Sequence, residues 1–208
     1  DDASKRDPAK DVDAVIVIGQ RYLPDYQVRN TRGATKTNTP LLDVPQAVTV
    51  VTDKLVADQA VTSLNETFRY MPGVGTAQGE GNRDTPVMRG ISSTGDFYVD
   101  GIRDDVQYFR DVYNLERVEA LKGPSAMIFG RGGTGGVINR VTRMADGMNH
   151  RSGTLQLGSN QRRRGTLDFG QGFGETAGFR VNAVVEDSQT FRDDGYLKRY
   201  GVNPSFNF

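Results

Sequence analysis

The sequence contains no cysteine, and among its 208 residues there is a single histidine, His150. Without cysteine the chain can form no disulfide, no zinc–thiolate site and no cysteine nucleophile. His150 lies in the polar stretch 146–151, where a loop is predicted, and one histidine cannot build a metal cluster by itself. The sequence therefore predicts neither a protein-bound metal nor cysteine-based catalysis.

Long apolar runs and an excess of one charge are also missing. Hydrophobic residues make up 36% of the chain, and no stretch approaches the roughly 18–20 apolar residues that a membrane-spanning helix needs. The 26 basic residues are balanced by 26 acidic ones, whereas a nucleic-acid-binding surface needs a clustered basic excess. The short basic run 162–164 is interpreted as a solvated turn or the start of a strand. A nucleic-acid partner is therefore not expected.

Glycine, in contrast, is abundant, with 25 residues, and residues 130–135 match the dinucleotide-binding pattern G-x-G-x-x-G. In a dinucleotide fold that loop opens a helix, and an acidic residue follows about 20 positions later. Here the β-branched segment 136–142 follows instead, and positions 148–152 contain no acid. A nucleotide-dependent enzyme is therefore disfavoured, and the glycines are expected to let the backbone turn sharply beside a packed wall.

The N-terminal 39 residues are predicted to be a tether that carries one short β-prone segment. That segment, DAVIVIG at positions 13–19, has polar sequence on both sides. It is either the first strand of the domain that follows or a peptide that adds a strand to another protein's open sheet edge. The residues alone do not decide between these two interpretations.

Residues 40–148 are predicted to form a compact α+β domain. Ser63 and Glu66 have the spacing of a capping box, which predicts a helix from Ser63 to about Tyr70. The other predicted elements are strands at 45–52, 86–91, 97–99 and 137–141, a helix at 53–59, and a turn at Asp100–Gly101.

From about residue 149 the pattern changes to an alternation with period two in four segments. In the third, Phe179, Val181, Ala183 and Val185 share one face, and Arg180, Asn182 and Glu186 share the other. Strands of a transmembrane barrel with a wet interior have this pattern, and so does a soluble sandwich with one solvated face. Because open strand edges do not survive in lipid, the barrel interpretation predicts that this chain is a fragment.

Seven segments, taken in order, resemble the plug and early barrel of TonB-dependent siderophore receptors. The segments are DAVIVIG, TPLLDVPQAVTVV, LNETFRYMPGV, VMRGI, FYVDGIRDD, LERVEALKGPSAMIFGRGGTGGVINRVT and RYGVNPSF. Two of the motifs, VQYFRD and FGRGGTGG, are most similar to the catecholate-type branch. The resemblance implies an α+β plug domain followed by antiparallel transmembrane β-barrel strands, with this chain a fragment of a 22-stranded barrel.

The function that the resemblance implies is uptake of a ferric siderophore through the outer membrane of a Gram-negative bacterium, energised by TonB. Iron would be carried only within the siderophore, no residue would be catalytic, and the receptor would be a monomer in outer-membrane lipid. A soluble plug-like binding module and a receptor for another ligand, such as cobalamin or a glycan, are the alternatives.

The resemblance also assigns roles to particular residues. The segment that pairs with the TonB C-terminal domain would be Asp13, Ala14, Val15, Ile16, Val17 and Ile18. The plug loops that contact the ligand would contain Arg83, Ser93, Thr94, Tyr108 and Phe109, in which the aromatic rings suit a planar chelator and Arg83 suits an anionic complex. Arg89 and Arg117 fall at the family's ionic lock between plug and barrel, with Glu116 and Glu119 as local alternative partners.

Overall fold

The computed structural model describes residues 26–33, 36–77, 83–123, 126–130, 133–174, 177–190, 192 and 194–208. The helices are α1 (Asp53–Asp58), α2 (Leu64–Thr67) and α3 (Ala126–Phe129), and 3-10 turns span Leu41–Asp43 and Phe68–Tyr70. The first ten strands are β1 (Asn30–Thr31), β2 (Thr39–Pro40), β3 (Ala47–Thr52), β4 (Val74–Thr76), β5 (Pro86–Met88), β6 (Ile91–Ser92), β7 (Phe97–Val99), β8 (Ile102–Arg103), β9 (Leu115–Lys122) and β10 (Gly136–Thr142). Four longer strands follow, β11 (His150–Gly158), β12 (Arg162–Phe173), β13 (Ala177–Gln189) and β14 (Tyr196–Asn207). None of the described helices is long and apolar enough to cross a bilayer.

The centre of the N-terminal domain is a five-stranded mixed sheet with the order β3-β9-β10-β7-β8. One face of this sheet packs against α1 and α2, and the core there includes Leu64, Phe68, Val118 and Ile138, each at most 1% exposed. The second face carries a smaller apolar cluster, formed by Val44, Tyr98, Leu121, Phe129 and Val137. The sheet is therefore covered on both faces, by helices on one side and in part by the segment before β3 on the other.

Capping and turn chemistry account for the short elements of this domain. The Glu66 carboxylate accepts the backbone N–H groups of Thr62 (2.7 Å) and Ser63 (3.3 Å), which confirms the acidic half of the predicted capping box. Asp100 and Gly101 both have positive φ, 50° and 82°, and form the predicted turn between β7 and β8.

The prediction of one strand over residues 86–91 was wrong. Arg89 and Gly90 both have positive φ, 52° and 78°, so the chain reverses between β5 and β6. Such a turn closes a hairpin, and the segment folds back on itself instead of continuing.

The glycine-rich segment lies against a packed wall, as expected. Gly136 has a φ of 143°, and a Cβ atom there would lie 2.5 Å from the Leu121 carbonyl oxygen. At Gly135 a Cβ atom would lie 2.6 Å from the Met88 carbonyl oxygen. Side chains at these positions would collide with backbone, so the start of β10 requires glycine.

The last four strands form a continuous antiparallel sheet in the order β11-β12-β13-β14. The register places Glu186 opposite Arg164 and Arg199, and Val185 opposite Gly165 and Tyr200. The predicted separation into a polar and an apolar face is confirmed by this register. His150, predicted in a loop, is instead the first residue of β11.

Burial of the two faces is opposite to that of a soluble sheet. On the apolar face Val185 is 63% exposed and Tyr200 is 91% exposed, whereas on the polar face Asn182 is 0% and Glu186 is 4% exposed. The polar face is turned toward the N-terminal domain, and the apolar face is turned outward. A soluble sandwich with one solvated polar face is therefore not what these strands form.

Candidate functional site

Arg110 organises the loop that contains two of the predicted ligand-contacting residues. Its side chain is fully buried, with the guanidinium carbon 3.9 Å from the centre of the Phe97 ring and 4.3 Å from that of Tyr108. The guanidinium also donates to the backbone carbonyls of Val106 (2.6 Å) and Tyr108 (3.2 Å). The loop is thus wrapped around one cation, which holds the Tyr108 ring in place by stacking and by hydrogen bonds to the backbone beside it.

Two carboxylates balance this cation in different ways. Asp104 accepts a hydrogen bond from the Tyr108 hydroxyl (2.8 Å) and pairs with Arg110 and Arg140. Burial raises the pKa of Asp104, but the Tyr108 hydroxyl and the two guanidinium groups outweigh burial and lower the pKa overall. Asp84 accepts the Arg110 backbone N–H (2.9 Å), and burial raises the pKa of its carboxyl. The pKa values of the two carboxyls around Arg110 are therefore shifted in opposite directions.

An exposed polar rim lies beside this cluster. Arg83 donates to the side-chain carbonyl of Gln107, whose amide donates to the Thr94 hydroxyl (3.2 Å). The structure thus connects two of the predicted residues, Arg83 and Thr94, through Gln107, which the sequence did not indicate. Gln107 precedes Tyr108 directly within the quoted motif VQYFRD, and that position was the available signal. Tyr108 is 39% exposed, so part of its ring is accessible next to this rim.

The other two predicted loop residues point to different surroundings. The Ser93 hydroxyl donates to Asp96 (2.6 Å) and accepts the Gly95 backbone N–H (3.3 Å), which makes it part of a loop turn. Phe109 lines a cleft of about 430 Å³ between the plug loop and β14, together with Tyr108, Tyr113 and Arg140. Ligand contact by all five residues stays a prediction; the structure joins Arg83 to Thr94 through Gln107 and places Tyr108 and Phe109 in one cleft.

No group of three or more His, Cys, Asp or Glu side chains that could hold a metal ion is present in the described part of the chain. The rim offers instead a cation, an amide, a hydroxyl and a phenol ring. Such groups suit recognition of an anionic or aromatic organic molecule by charge, hydrogen bonds and stacking.

A buried ionic network joins the N-terminal domain to the four-stranded sheet. Arg164 forms a two-bond pair with Asp111 (2.7 and 2.8 Å) and also donates to Glu186 (2.7 Å). Arg199 contacts the same two acids, Asp111 at 2.9 Å and Glu186 at 2.7 Å. The side chains of Arg164 and Glu186 are each 2% exposed. The run 162–164 begins β12, which confirms the predicted strand start, but the solvated position is wrong for Arg164, whose burial Asp111 and Glu186 compensate.

The described residues do not test the lock predicted between Arg89, Arg117 and further barrel acids. Arg117 donates to Glu119 (2.8 Å) and to Glu116, both in its own strand. These are the two local partners that the sequence analysis named as alternatives. No ion pair of Arg89 occurs among the described residues, where its guanidinium lies beside Gly123. A role for these arginines toward further barrel acids stays a prediction. The predicted TonB-pairing segment, Asp13 to Ile18, lies outside the described residues.

Comparison with known proteins agrees with this architecture. Residues 40–137 match the family model described as TonB-dependent Receptor Plug Domain. The chain is 36% identical over 175 residues to the Probable TonB-dependent receptor BfrD of Bordetella pertussis, covering 82% of this chain and 24% of that protein. It is also 36% identical over 179 residues to the Catecholate siderophore receptor Fiu of Escherichia coli K12, covering 83% and 24%.

Solved structures give the same result. The open form of the ferric-catecholate import receptor Fiu from E. coli K12 superposes with a TM-score of 0.80 at 33% identity, covering 88% of this chain and 28% of that one. The siderophore receptor PiuA from Acinetobacter baumannii gives a TM-score of 0.80 at 32% identity, covering 88% and 26%. The chain spans about a quarter of the length of these relatives. Residues 40–137 are thus a TonB-dependent receptor plug domain, and the chain belongs to the TonB-dependent receptor family.

Proposed function

We propose that this chain is part of a Gram-negative outer-membrane receptor that imports a ferric siderophore with energy supplied by TonB. The N-terminal domain would be its plug, and β11–β14 would be the first strands of its barrel wall, here called the wall strands. The observation that carries the proposal is the four-stranded sheet, whose charged face is buried on the plug and whose apolar face is exposed. An outward apolar surface of this kind suits hydrocarbon, and a polar inner surface suits a wet barrel interior. We propose that further strands close the wall into a barrel of 22 and that the receptor works as a monomer in lipid.

The proposed ligand is a ferric siderophore because the similar receptors Fiu and PiuA are described as siderophore receptors, and Fiu as a catecholate receptor. The rim formed by Arg83, Thr94, Gln107 and Tyr108 offers the cation and the aromatic ring that an anionic catecholate complex would contact. Iron would remain inside its chelator as cargo. Since no bond of the cargo needs to break, we assign no catalytic residue.

Energy coupling is proposed to act through residues 13–18, which would add a strand to the TonB C-terminal domain. Main-chain hydrogen bonds supply the affinity in such an interaction. A proline removes one donor of the ladder, so Ile16→Pro should abolish binding. The matched control is Ala3→Pro, which places the same residue outside the segment.

The test is calorimetric titration of the full chain with the TonB C-terminal domain. We expect wild type and Ala3→Pro to bind alike and Ile16→Pro to lose binding. Absence of binding by the wild type would refute coupling through residues 13–18. In parallel, ferric catecholate complexes should bind wild type and bind Arg83→Gln at least about tenfold more weakly, since a charged hydrogen-bonding partner is lost. Binding of cobalamin or a glycan in place of the ferric complex would refute the siderophore assignment.

A further inference from the structure

The second face of the plug sheet contains a buried carboxylate that the ligand rim and the ionic network do not use. Glu119 lies in the middle of β9 and is 0% exposed. Its cross-strand neighbours are Val50 on β3 and Asn139 on β10. A buried carboxylate is costly unless hydrogen bonds and opposite charge compensate it, so its partners show what it holds.

Three donors from three strands converge on Glu119. Arg117 donates to Oε1 (2.8 Å), and the Asn139 side-chain amide donates to Oε2 (3.1 Å). The third donor is the hydroxyl of Thr31, which is 1% exposed. Arg117 and Asn139 belong to the sheet itself, whereas Thr31 belongs to the segment that leads in from the N-terminus.

That N-terminal segment fits closely over the carboxylate. Thr31 also accepts the Gly33 backbone N–H (3.0 Å), which bends the chain over Glu119. A Cβ atom at Gly33 would overlap the Glu119 carboxylate, so a larger residue there would force this carboxylate to shift. Glycine therefore allows the backbone to approach this one side chain closely.

Among the described residues, the N-terminal segment pairs with no strand of the five-stranded sheet. Strands β1 and β2 pair only with each other, over two residues, and form a sheet separate from the five-stranded one. Among the contacts of the segment, Tyr26 donates to Asp58 at the surface, and the ammonium of Lys36 lies 4.8 Å from the centre of the Phe129 ring. The hydrogen bond of Thr31 to Glu119 is buried.

We propose that Glu119 is the positioning residue that fastens the N-terminal segment to the plug, and that losing its bond to Thr31 frees the β1–β2 hairpin while the five-stranded sheet stays folded. Thr31 lies 13 residues after Ile18, and the role of this attachment in transport rests on the proposed function. A pulling force applied at residues 13–18 would reach Thr31 before it reaches any strand of the five-stranded sheet.

The test uses amide hydrogen exchange of the full chain in detergent, read at Leu41. Its N–H donates to the Arg29 carbonyl (2.8 Å), so this amide reports opening of the hairpin without touching Thr31 or Glu119. Thr31→Val keeps the shape of the side chain and removes the donor. We expect exchange at Leu41 to become about 10- to 100-fold faster, as for loss of one charge-assisted hydrogen bond.

Two further variants make the result specific. Thr31→Ser restores the hydroxyl and should return exchange at Leu41 to within about threefold of wild type, given the scatter of single-bond effects. Thr39→Val removes the hydroxyl at the position opposite Thr31, which bonds Thr37 (2.7 Å) within the same segment, and should change exchange at Leu41 less than Thr31→Val does.

Exchange at Leu41 that stays at the wild-type rate in Thr31→Val would overturn the proposal. Exchange that rises equally in β9 and β10 would also overturn it, because Glu119 would then stabilise the whole sheet. Binding of the TonB domain is measured separately on wild type. Failure to bind TonB, with the expected exchange pattern intact, would refute the proposed coupling and leave the fastening in place.

Discussion

Replacing Asp111 by asparagine tests the ionic network that docks the plug on the wall strands. Asparagine preserves the shape of the side chain and an oxygen that can still accept the backbone N–H groups of Val112 (2.7 Å) and Tyr113 (3.0 Å). What it removes is the negative charge that faces Arg164 and Arg199. The two guanidinium groups would then share Glu186 alone.

The expected loss is about 3 kcal/mol of unfolding free energy. At an effective dielectric constant near 20, each pair of unit charges about 4 Å apart contributes about 4 kcal/mol before desolvation is subtracted. Asp111 faces two such charges, and removal of one partner from a buried pair costs about 3–5 kcal/mol. Because the Asp111 side chain keeps 11% of its surface exposed and Glu186 remains, the lower end of that range applies.

The assay is denaturant unfolding of the full chain in detergent, followed by circular dichroism. Asp187→Asn is the matched control, since Asp187 pairs with Lys198 at 3.7 Å on the outer face with both side chains about two-thirds exposed. Surface pairs of this kind contribute about 0–1 kcal/mol. If Asp111→Asn were no more destabilising than Asp187→Asn, the network would not dock the plug. A double-mutant cycle with Arg164→Gln should show a coupling energy above about 1 kcal/mol.

Two further outcomes follow from the plug itself. Gly136→Ala should destabilise the chain by at least about 3 kcal/mol in the same denaturation assay, because its Cβ meets backbone at Leu121, whereas Gly73→Ala, with open space around it, should cost only about 1–2 kcal/mol. A cost at Gly136 equal to that at Gly73 would contradict the packed-wall interpretation. Burial raises the pKa of Asp84, so its contribution to stability is fully present below about pH 4 and is lost as the pH rises through its folded-state pKa. Wild type should therefore lose stability relative to Asp84→Asn as the pH rises above about 4, and parallel pH profiles for the two would show that this carboxyl is not the cause.

Periodicity and turn chemistry predicted most of the fold because both act over a few residues. The alternation in 179–186 gave the two faces of β13, and Asp100–Gly101 gave a turn, since each signal is local to the strand or turn that it describes. The strand predicted over 86–91 was wrong because Arg89 takes a left-handed conformation that a non-glycine residue seldom adopts. Apolar neighbours on both sides gave no sign of that turn.

The candidate site depended on contacts that the sequence does not encode locally. Asp111 and Arg164 are 53 positions apart, and Thr31 and Glu119 are 88 apart, so no spacing rule connects either pair. Arg164 lies in a basic run that by itself favours a solvated surface. Its burial follows from the way β12 packs on the plug, which places opposite charges on both sides of it. The resemblance to the family named loops whose contact with a ligand stays a prediction, and it named Glu116 and Glu119 as alternative partners of Arg117. The partner of Arg83, Gln107, required the assembled structure.

The ionic character of the contact between plug and wall follows from what the two parts are proposed to do. An apolar interface would resist separation in water, because exposing its surface would cost free energy in proportion to the area. Buried ion pairs such as Asp111 with Arg164 contribute less than well-packed apolar residues of similar volume, while each partner specifies the position of the other. When such an interface opens, water solvates both charges, and their hydration free energy compensates much of the lost attraction. A plug that seals a barrel in one defined position and must still rearrange for cargo to pass is suited to this kind of contact. The fastening of Thr31 on Glu119 has the same property, since both groups are readily hydrated once they part.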